Sequence, residues 1–260
     1  MKKSYIFLVL LFIHSLCFAW EEKRSLNTLF QKEYPHSTFV LYDLHTNKMI
    51  GYNHSRAQQR YIPASTFKIA HSLIGLSYGA IKNVDETLPY KGEEKPLIQA
   101  WKADMSLREA IAISNVAIYQ ELARRIGLQN MKKGLKKLQY GNQKTSDLLE
   151  RFWLDGPLKI SALEQIDFLT KLATTTLEIP KHLQTEVQEI LLLEETVKWK
   201  LYGKTGWQNA PNSGVGWFVG WINKESKISL FALNLDIKQP ADATQRIRLV
   251  KESLKQLGYI

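Results

Sequence analysis

Trp199-Lys200-Leu201-Tyr202-Gly203, then Gly214-Val215-Gly216-Trp217-Phe218-Val219-Gly220-Trp221-Ile222, then Ile228-Ser229-Leu230-Phe231-Ala232-Leu233-Asn234-Leu235-Asp236-Ile237 are three runs rich in β-branched and aromatic residues. They read as three consecutive strands. Two runs of the same character lie near the other end, Thr38-Phe39-Val40-Leu41-Tyr42 and Lys48-Met49-Ile50-Gly51-Tyr52. The link from Asp43 to Asn47 has turn chemistry, so these two form a hairpin. Between the two groups the period changes to helical. Ser106 to Ile113 and Ile118 to Ile126 repeat apolar residues at helix spacing, with Gly127 at a stop. Ser161-Ala162-Leu163-Glu164 is a capping box, in which serine and glutamate satisfy each other's free N–H groups; it starts a helix running to about Thr174. A last helix, Ala241 to Leu257, returns over the sheet. This order predicts an α/β chain of the α+β type: a central, mainly antiparallel β-sheet flanked by helices, with an all-helical lobe inserted between the N- and C-terminal strands. The sheet lobe is expected from residues 20–64 and 195–260 and the helical lobe from 65–194, with a catalytic cleft between them.

No linker, repeat or low-complexity tract divides the 260 residues, and 45% apolar with 23% charged residues suits one substantial core. Met1-Lys2-Lys3, the apolar run from Tyr5 to Ile13 and the small residue Ala19 match the charged start, apolar centre and cleavage site of an export signal. Cleavage after Ala19 would leave residues 20–260 as a single catalytic domain of about 241 residues, delivered to the periplasm. The only cysteine, Cys17, lies in that signal, so the mature chain would carry no disulfide. Leu16 before it is bulky for a lipid-attachment signal. The formal net charge of +10 raises nucleic acid or membrane as partners. Yet the densest basic stretch, Lys132-Lys133-Gly134-Leu135-Lys136-Lys137, is spaced by apolar residues and reads as a solvated helix face. We therefore expect no nucleic-acid partner and no stable membrane association after signal removal. The same positive field favours small anionic substrates. His36, His45, His54, His71 and His182 form no ligand-like pair, so no metal is expected and each reads as structural or surface.

Ser65-Thr66-Phe67-Lys68 follows Pro63-Ala64 and opens the apolar stretch from Ile69 to Ile74, which puts the serine at a helix start. Residues three apart share a helix face, so the Lys68 amine would lie beside the Ser65 hydroxyl. A serine is a weak nucleophile until a base takes its proton, and a lysine is a base only once burial or modification removes its charge. Lys204-Thr205-Gly206, ahead of Trp207, offers a cation for a substrate carboxylate and a glycine that admits a substrate backbone. Ser114-Asn115-Val116 could relay a proton through its serine, or simply cap the next helix. Tyr140-Gly141-Asn142 reads as a turn. Each motif alone is compatible with ordinary structure.

Taken in order, S-x-x-K, S-x-V, Y-G-N and K-T-G resemble the set found in class D, oxacillinase-type serine β-lactamases, over nearly the whole mature chain. Phe152-Trp153-Leu154-Asp155-Gly156-Pro157-Leu158-Lys159-Ile160-Ser161 resembles the loop that brings a tryptophan to the site in that family, and Trp217-Phe218-Val219-Gly220 its W-x-x-G strand. Arg246 resembles the arginine that binds the substrate carboxylate. The resemblance implies the serine β-lactamase and penicillin-binding transpeptidase fold. It implies Ser65 as the acylated nucleophile and Lys68, N-carboxylated by CO₂ or bicarbonate, as base in both acylation and deacylation. That assignment agrees with the loop from Phe152 to Ser161, which holds no glutamate to activate water as class A enzymes do. Ser114 would pass the proton to the leaving nitrogen and Trp153 would hold the carbamate. Val116, Tyr140, Asn142, Lys204, Thr205, Gly206, Trp207 and Arg246 would bind substrate. No cofactor beyond CO₂ is implied, the partner is a penicillin- or oxacillin-type β-lactam, and the chain is a monomer or homodimer. The rival expectation is a penicillin-sensing or penicillin-binding domain that is acylated but deacylates slowly.

Overall fold

The computed structural model describes residues 20–208 and 214–260; the expected signal with Cys17 lies outside them. In chain order the elements are β1 (Trp20–Glu22), α1 (Arg24–Glu33), β2 (Ser37–Asp43), β3 (Lys48–Tyr52), α2 (His54–Ala57), α3 (Lys68–Ser77), α4 (Leu107–Ala112), α5 (Val116–Lys137), α6 (Ala162–Ala173), α7 (Lys181–Glu189), β4 (Leu192–Glu195), β5 (Trp199–Gln208), β6 (Gly214–Lys224), β7 (Lys227–Ile237) and α8 (Pro240–Gln256). One seven-stranded sheet has the order β1-β3-β2-β7-β6-β5-β4. Only the short β1–β3 pair is parallel, so the mainly antiparallel sheet of the sequence reading is what forms.

Local signals account for several boundaries. Asp43 Oδ1 accepts from the His45 and Thr46 N–H groups, closing the β2–β3 turn. Ser106 with Glu109 and Ser161 with Glu164 each form a complete capping box. Gly127 does leave helical geometry (φ 73°, ψ 159°), but the chain resumes its helix beyond it, so α5 continues to Lys137. On that second stretch Lys132, Lys133, Lys136 and Lys137 are exposed while Met131 and Leu135 are buried, the solvated face expected of this basic run. The β6–β7 hairpin turns on Glu225 and Ser226, both with positive φ, a turn geometry that matches strand twist but here lacks its usual glycine.

Strand alternation sorts the core. Phe39, Leu41, Phe218, Phe231 and Leu233 point to one face, where α1 and α8 cover them through Leu26, Phe30, Leu249 and Leu254. Their neighbours Val40, Trp217, Val219 and Ala232 point to the other, against a core that includes Phe67, Leu73, Phe168 and Leu169 of the α3 turn and α6. The sequence reading lacks β1, α1, α2, α7 and β4. Two of these are strands of three and four residues, and the helices bury little: Leu26 and Phe30 in α1, Arg56 and Ala57 in α2, Gln184 and Val187 in α7. Among the described residues no helix is long and apolar enough to cross a membrane.

Candidate active site

The turn before α3 is held by four distant segments. Residues Ala64–Phe67 form a 3₁₀ turn, and Ala64 sits at φ 49°, a conformation costly for a residue with a Cβ. Its N–H donates to the Trp153 carbonyl at 3.0 Å. Trp217 Nε1 donates to the Ile62 carbonyl at 2.8 Å, and Gln165 Nε2 donates to Thr66 Oγ1 at 3.0 Å. Gly206 of β5 packs directly on this turn; a Cβ there would lie 2.8 Å from the Pro63 carbonyl oxygen and 3.2 Å from the Thr66 nitrogen. The sequence reading saw room for substrate at Gly206, whereas its Cβ direction is occupied by the chain's own turn from Pro63 to Thr66.

Lys68 is the first residue of α3 and is fully buried. Its Nζ lies 2.9 Å from Ser65 Oγ, the i,i+3 contact the helix dictates. It has no ion-pair partner among the described residues. Burial therefore holds its amine well below the usual lysine range, and the nearby Lys204 cation pushes the same way. The Tyr119 ring lies 5.2 Å from Nζ, and Phe67, His71 and Trp153 pack on one another beside it. Trp153 is completely buried, and its Nε1–H has no partner among the described residues.

The opposite wall comes from the α4–α5 junction and β5. Ser114 is held at φ 59° between the two helices. The alternative of Ser114 as a cap is excluded, because Asn115 caps α5, accepting from the Ala117 and Ile118 N–H groups at 3.0 and 3.3 Å. Ser114 Oγ is thereby left to accept from Lys204 Nζ at 2.5 Å. Asn115 Nδ2 donates to the Trp101 carbonyl at 2.9 Å, and Trp101 Nε1 donates to the Ile113 carbonyl at 3.0 Å, which ties the segment around Trp101 and Met105 to this wall. Val116, half-buried, opens α5.

Lys204 also donates to the Thr205 carbonyl at 3.0 Å and is only 6% exposed. Burial, with Arg246 adding repulsion, lowers its amine to about 7. Arg246 on α8 donates to the Gly206 carbonyl and fits over Gly216, where a Cβ would come 3.1 Å from its Cδ. Burial brings its guanidinium down to about 10. β4 pairs with β5 only as far as Tyr202, so Lys204, Thr205 and Trp207 lie along a stretch with no strand on that side. Trp207 itself is half-buried.

Two expected substrate contacts are corrected. Tyr140 is fully buried, packed edge-on against Phe67 and Phe168, so no substrate reaches it. Asn142 donates to the Pro157 carbonyl at 2.9 Å and accepts from the Lys159 and Lys144 N–H groups at 3.0 and 3.2 Å. Its hydrogen-bonding capacity is spent on fastening the loop that carries Trp153. The roles of three residues escaped the sequence reading: Gln165 is absent from it, Asn115 appears only inside the S-x-V motif, and His71 only as structural or surface. Asn115 left a signal as a cap-type residue ahead of a helical run and His71 in its i+3 spacing from Lys68. Among the described residues no group of three or more His, Cys, Asp or Glu is placed to hold a metal ion.

The penicillin-binding protein transpeptidase domain family matches residues 27–255. β-Lactamase OXA-10 of Pseudomonas aeruginosa is 35% identical over 260 residues, covering 99% of this chain and 97% of that protein. β-Lactamase OXA-48 of Klebsiella pneumoniae is 36% identical over 239 residues, 91% of this chain and 89% of that one. The crystal structure of FUS-1 (OXA-85), a class D β-lactamase from Fusobacterium nucleatum subsp. polymorphum, superposes with a TM-score of 0.89 at 40% identity, covering 92% of this chain and all of that one. With the fold, the motif order and these relatives in agreement, the chain belongs to the class D β-lactamases, hydrolases of the β-lactam amide.

Proposed function

We propose that Ser65 opens the β-lactam ring of penicillin- and oxacillin-type antibiotics by forming an acyl-enzyme, with Lys68 as the general base of both halves of the reaction. The observation that carries this reading is a fully buried amine, without a counter-ion among the described residues, 2.9 Å from the Ser65 hydroxyl. A neutral amine is the form that CO₂ can carboxylate, and the unpartnered Trp153 Nε1–H supplies a donor in the same aromatic pocket, so the residues fit N-carboxylation of Lys68. That group, when bound, supplies an anionic oxygen as proton acceptor. Ser65 Oγ attacks the lactam carbonyl while the backbone N–H groups of Ser65 and Trp207 receive the developing oxyanion. Ser114 relays to the leaving nitrogen the proton that Lys68 takes from Ser65, which frees Lys68 for the second half, while Lys204, donating to Ser114 Oγ at 2.5 Å, holds that hydroxyl in place. Lys204, Thr205 and Arg246 anchor the substrate carboxylate, and Val116 keeps water from the base. Asn142 serves as a positioning residue for the loop and Tyr140 packs behind Phe67 of the Ser65 turn. We also propose export by the first 19 residues, with residues 20–260 as the working enzyme.

The test is steady-state turnover of a penicillin at mildly acid pH, with dissolved CO₂ stripped and then bicarbonate restored. Activity is expected to fall and return; indifference to both would overturn the assignment of Lys68. Trp153→Ala is expected to slow deacylation more than acylation, so intact-mass measurement after penicillin addition finds acyl-enzyme on Ser65.

A further inference from the structure

His71 lies one turn beyond Lys68 on α3 and is fully buried. Helical side chains lean toward the N-terminus, which carries its ring back over the turn that bears Phe67 and Lys68. Ring-centroid distances of 5.1 Å to Phe67, 5.4 Å to Tyr119 and 5.0 Å to Trp153 close the same box. Every other polar group facing that box is accounted for: Lys68 Nζ contacts Ser65, while Ser72 Oγ and the Tyr119 hydroxyl are 2.9 Å apart. The exceptions are Trp153 Nε1 and both nitrogens of His71, none of which has a partner among the described residues. A neutral imidazole carries one N–H and one lone pair, and burying both unpaired is unfavourable where leucine would fill the space without cost. Its neighbour Lys68, as a cation, makes matters worse, and burial with that repulsion lowers the imidazole to about 3. An anion at Lys68 Nζ reverses the sign of the interaction.

We infer that His71 and Trp153 together form a two-donor pocket for the carboxyl group on Lys68, so that His71 is a positioning residue that sets how tightly this enzyme holds CO₂. The inference rests on the carboxylation proposed above. In that step the Nζ lone pair forms the N–C bond to CO₂, a C=O π pair becomes the oxygen charge, and an amine proton leaves to water. His71 then donates its ring N–H to the resulting anion.

The experiment is a titration of the full mature chain with ¹³C-bicarbonate, reading the carbamate carbon by NMR. His71→Leu is expected to need about tenfold more bicarbonate for half-saturation, the scale of one hydrogen bond to a charged group. The better of His71→Asn and His71→Gln, which keep an N–H near one ring nitrogen, is expected to return to within about threefold of the wild type. His71→Leu saturating with the wild type overturns the inference. Should the variants not fold, ¹⁵N-histidine spectra of the wild type serve: the His71 imidazole, identified by its contacts with the Tyr119 and Trp153 rings, is expected to shift with the carbamate signal's midpoint. A carbamate signal with a motionless imidazole overturns the role of His71 alone. Absence of any carbamate signal in the wild type overturns the carboxylation of Lys68 and this inference with it.

Discussion

Lys68 and Lys204 are the same residue in the same cleft, each beside a serine hydroxyl, yet their surroundings prepare them for opposite tasks. Lys68 is ringed by Phe67, His71, Tyr119 and Trp153 and contacts only Ser65. One hydroxyl and one ring face are all that offset the desolvation of a cation there, and burial holds its amine well below the usual lysine range. Lys204 is nearly as buried but keeps the Thr205 carbonyl and Ser114 as acceptors. Its amine at about 7 stays within reach of protonation. Acceptor supply, more than burial, thus separates a base from an anion-binding group.

Removing the two amines should break the comparison most sharply. Lys68→Ala is expected to lower kcat by about 10³-fold, the loss of a general base, whereas Lys204→Ala should lower kcat/KM by roughly 10- to 100-fold, carried largely in KM. Steady-state kinetics with one penicillin checks both; a loss confined to KM in each would erase the distinction. A smaller effect follows from pH. In the proposed role Lys204 binds the substrate carboxylate as a cation, the form present below its value of about 7, so kcat/KM of the free enzyme should fall as pH rises through that value. Lys204→Arg, which stays charged, should flatten that alkaline limb in a pH profile. The smallest effect is on stability. Asn115→Ala deletes a helix cap and the tie to Trp101, and urea unfolding should register a loss of about 1–2 kcal/mol. A change in Ser114-dependent turnover without any change in stability would show that Asn115 is not the cap that holds this wall.

How far each feature could be read in advance depends on how far apart its partners are in the chain. The Ser65–Lys68 contact, the two capping boxes and the Asp43 turn all join residues within four positions. Backbone geometry alone dictates such pairs, and they were legible directly. Likewise the alternating runs from Trp199 to Ile237 declared strands because a half-buried pleat requires alternation. The short β1 and β4 escaped, since three or four residues carry no period. Resemblance placed Tyr140 and Asn142 against substrate, but the fold turned Tyr140 into the core and Asn142 to the loop, because no local rule says which side of a turn will be covered.

By itself, then, the sequence determined the longer strands and main helices, the Ser65–Lys68 pair and the order of the motifs. Tertiary structure alone decided that Lys204 meets Ser114 across 90 residues, that Gln165 reaches Thr66 across 99, and that Gly206 abuts the turn from Pro63 to Thr66. It also decided which lysine is left with a single hydroxyl as acceptor. Desolvation is set by everything packed around a group, and Lys68 owes its chemistry to rings contributed by α3, α5 and the Trp153 loop, which meet only when the chain is folded.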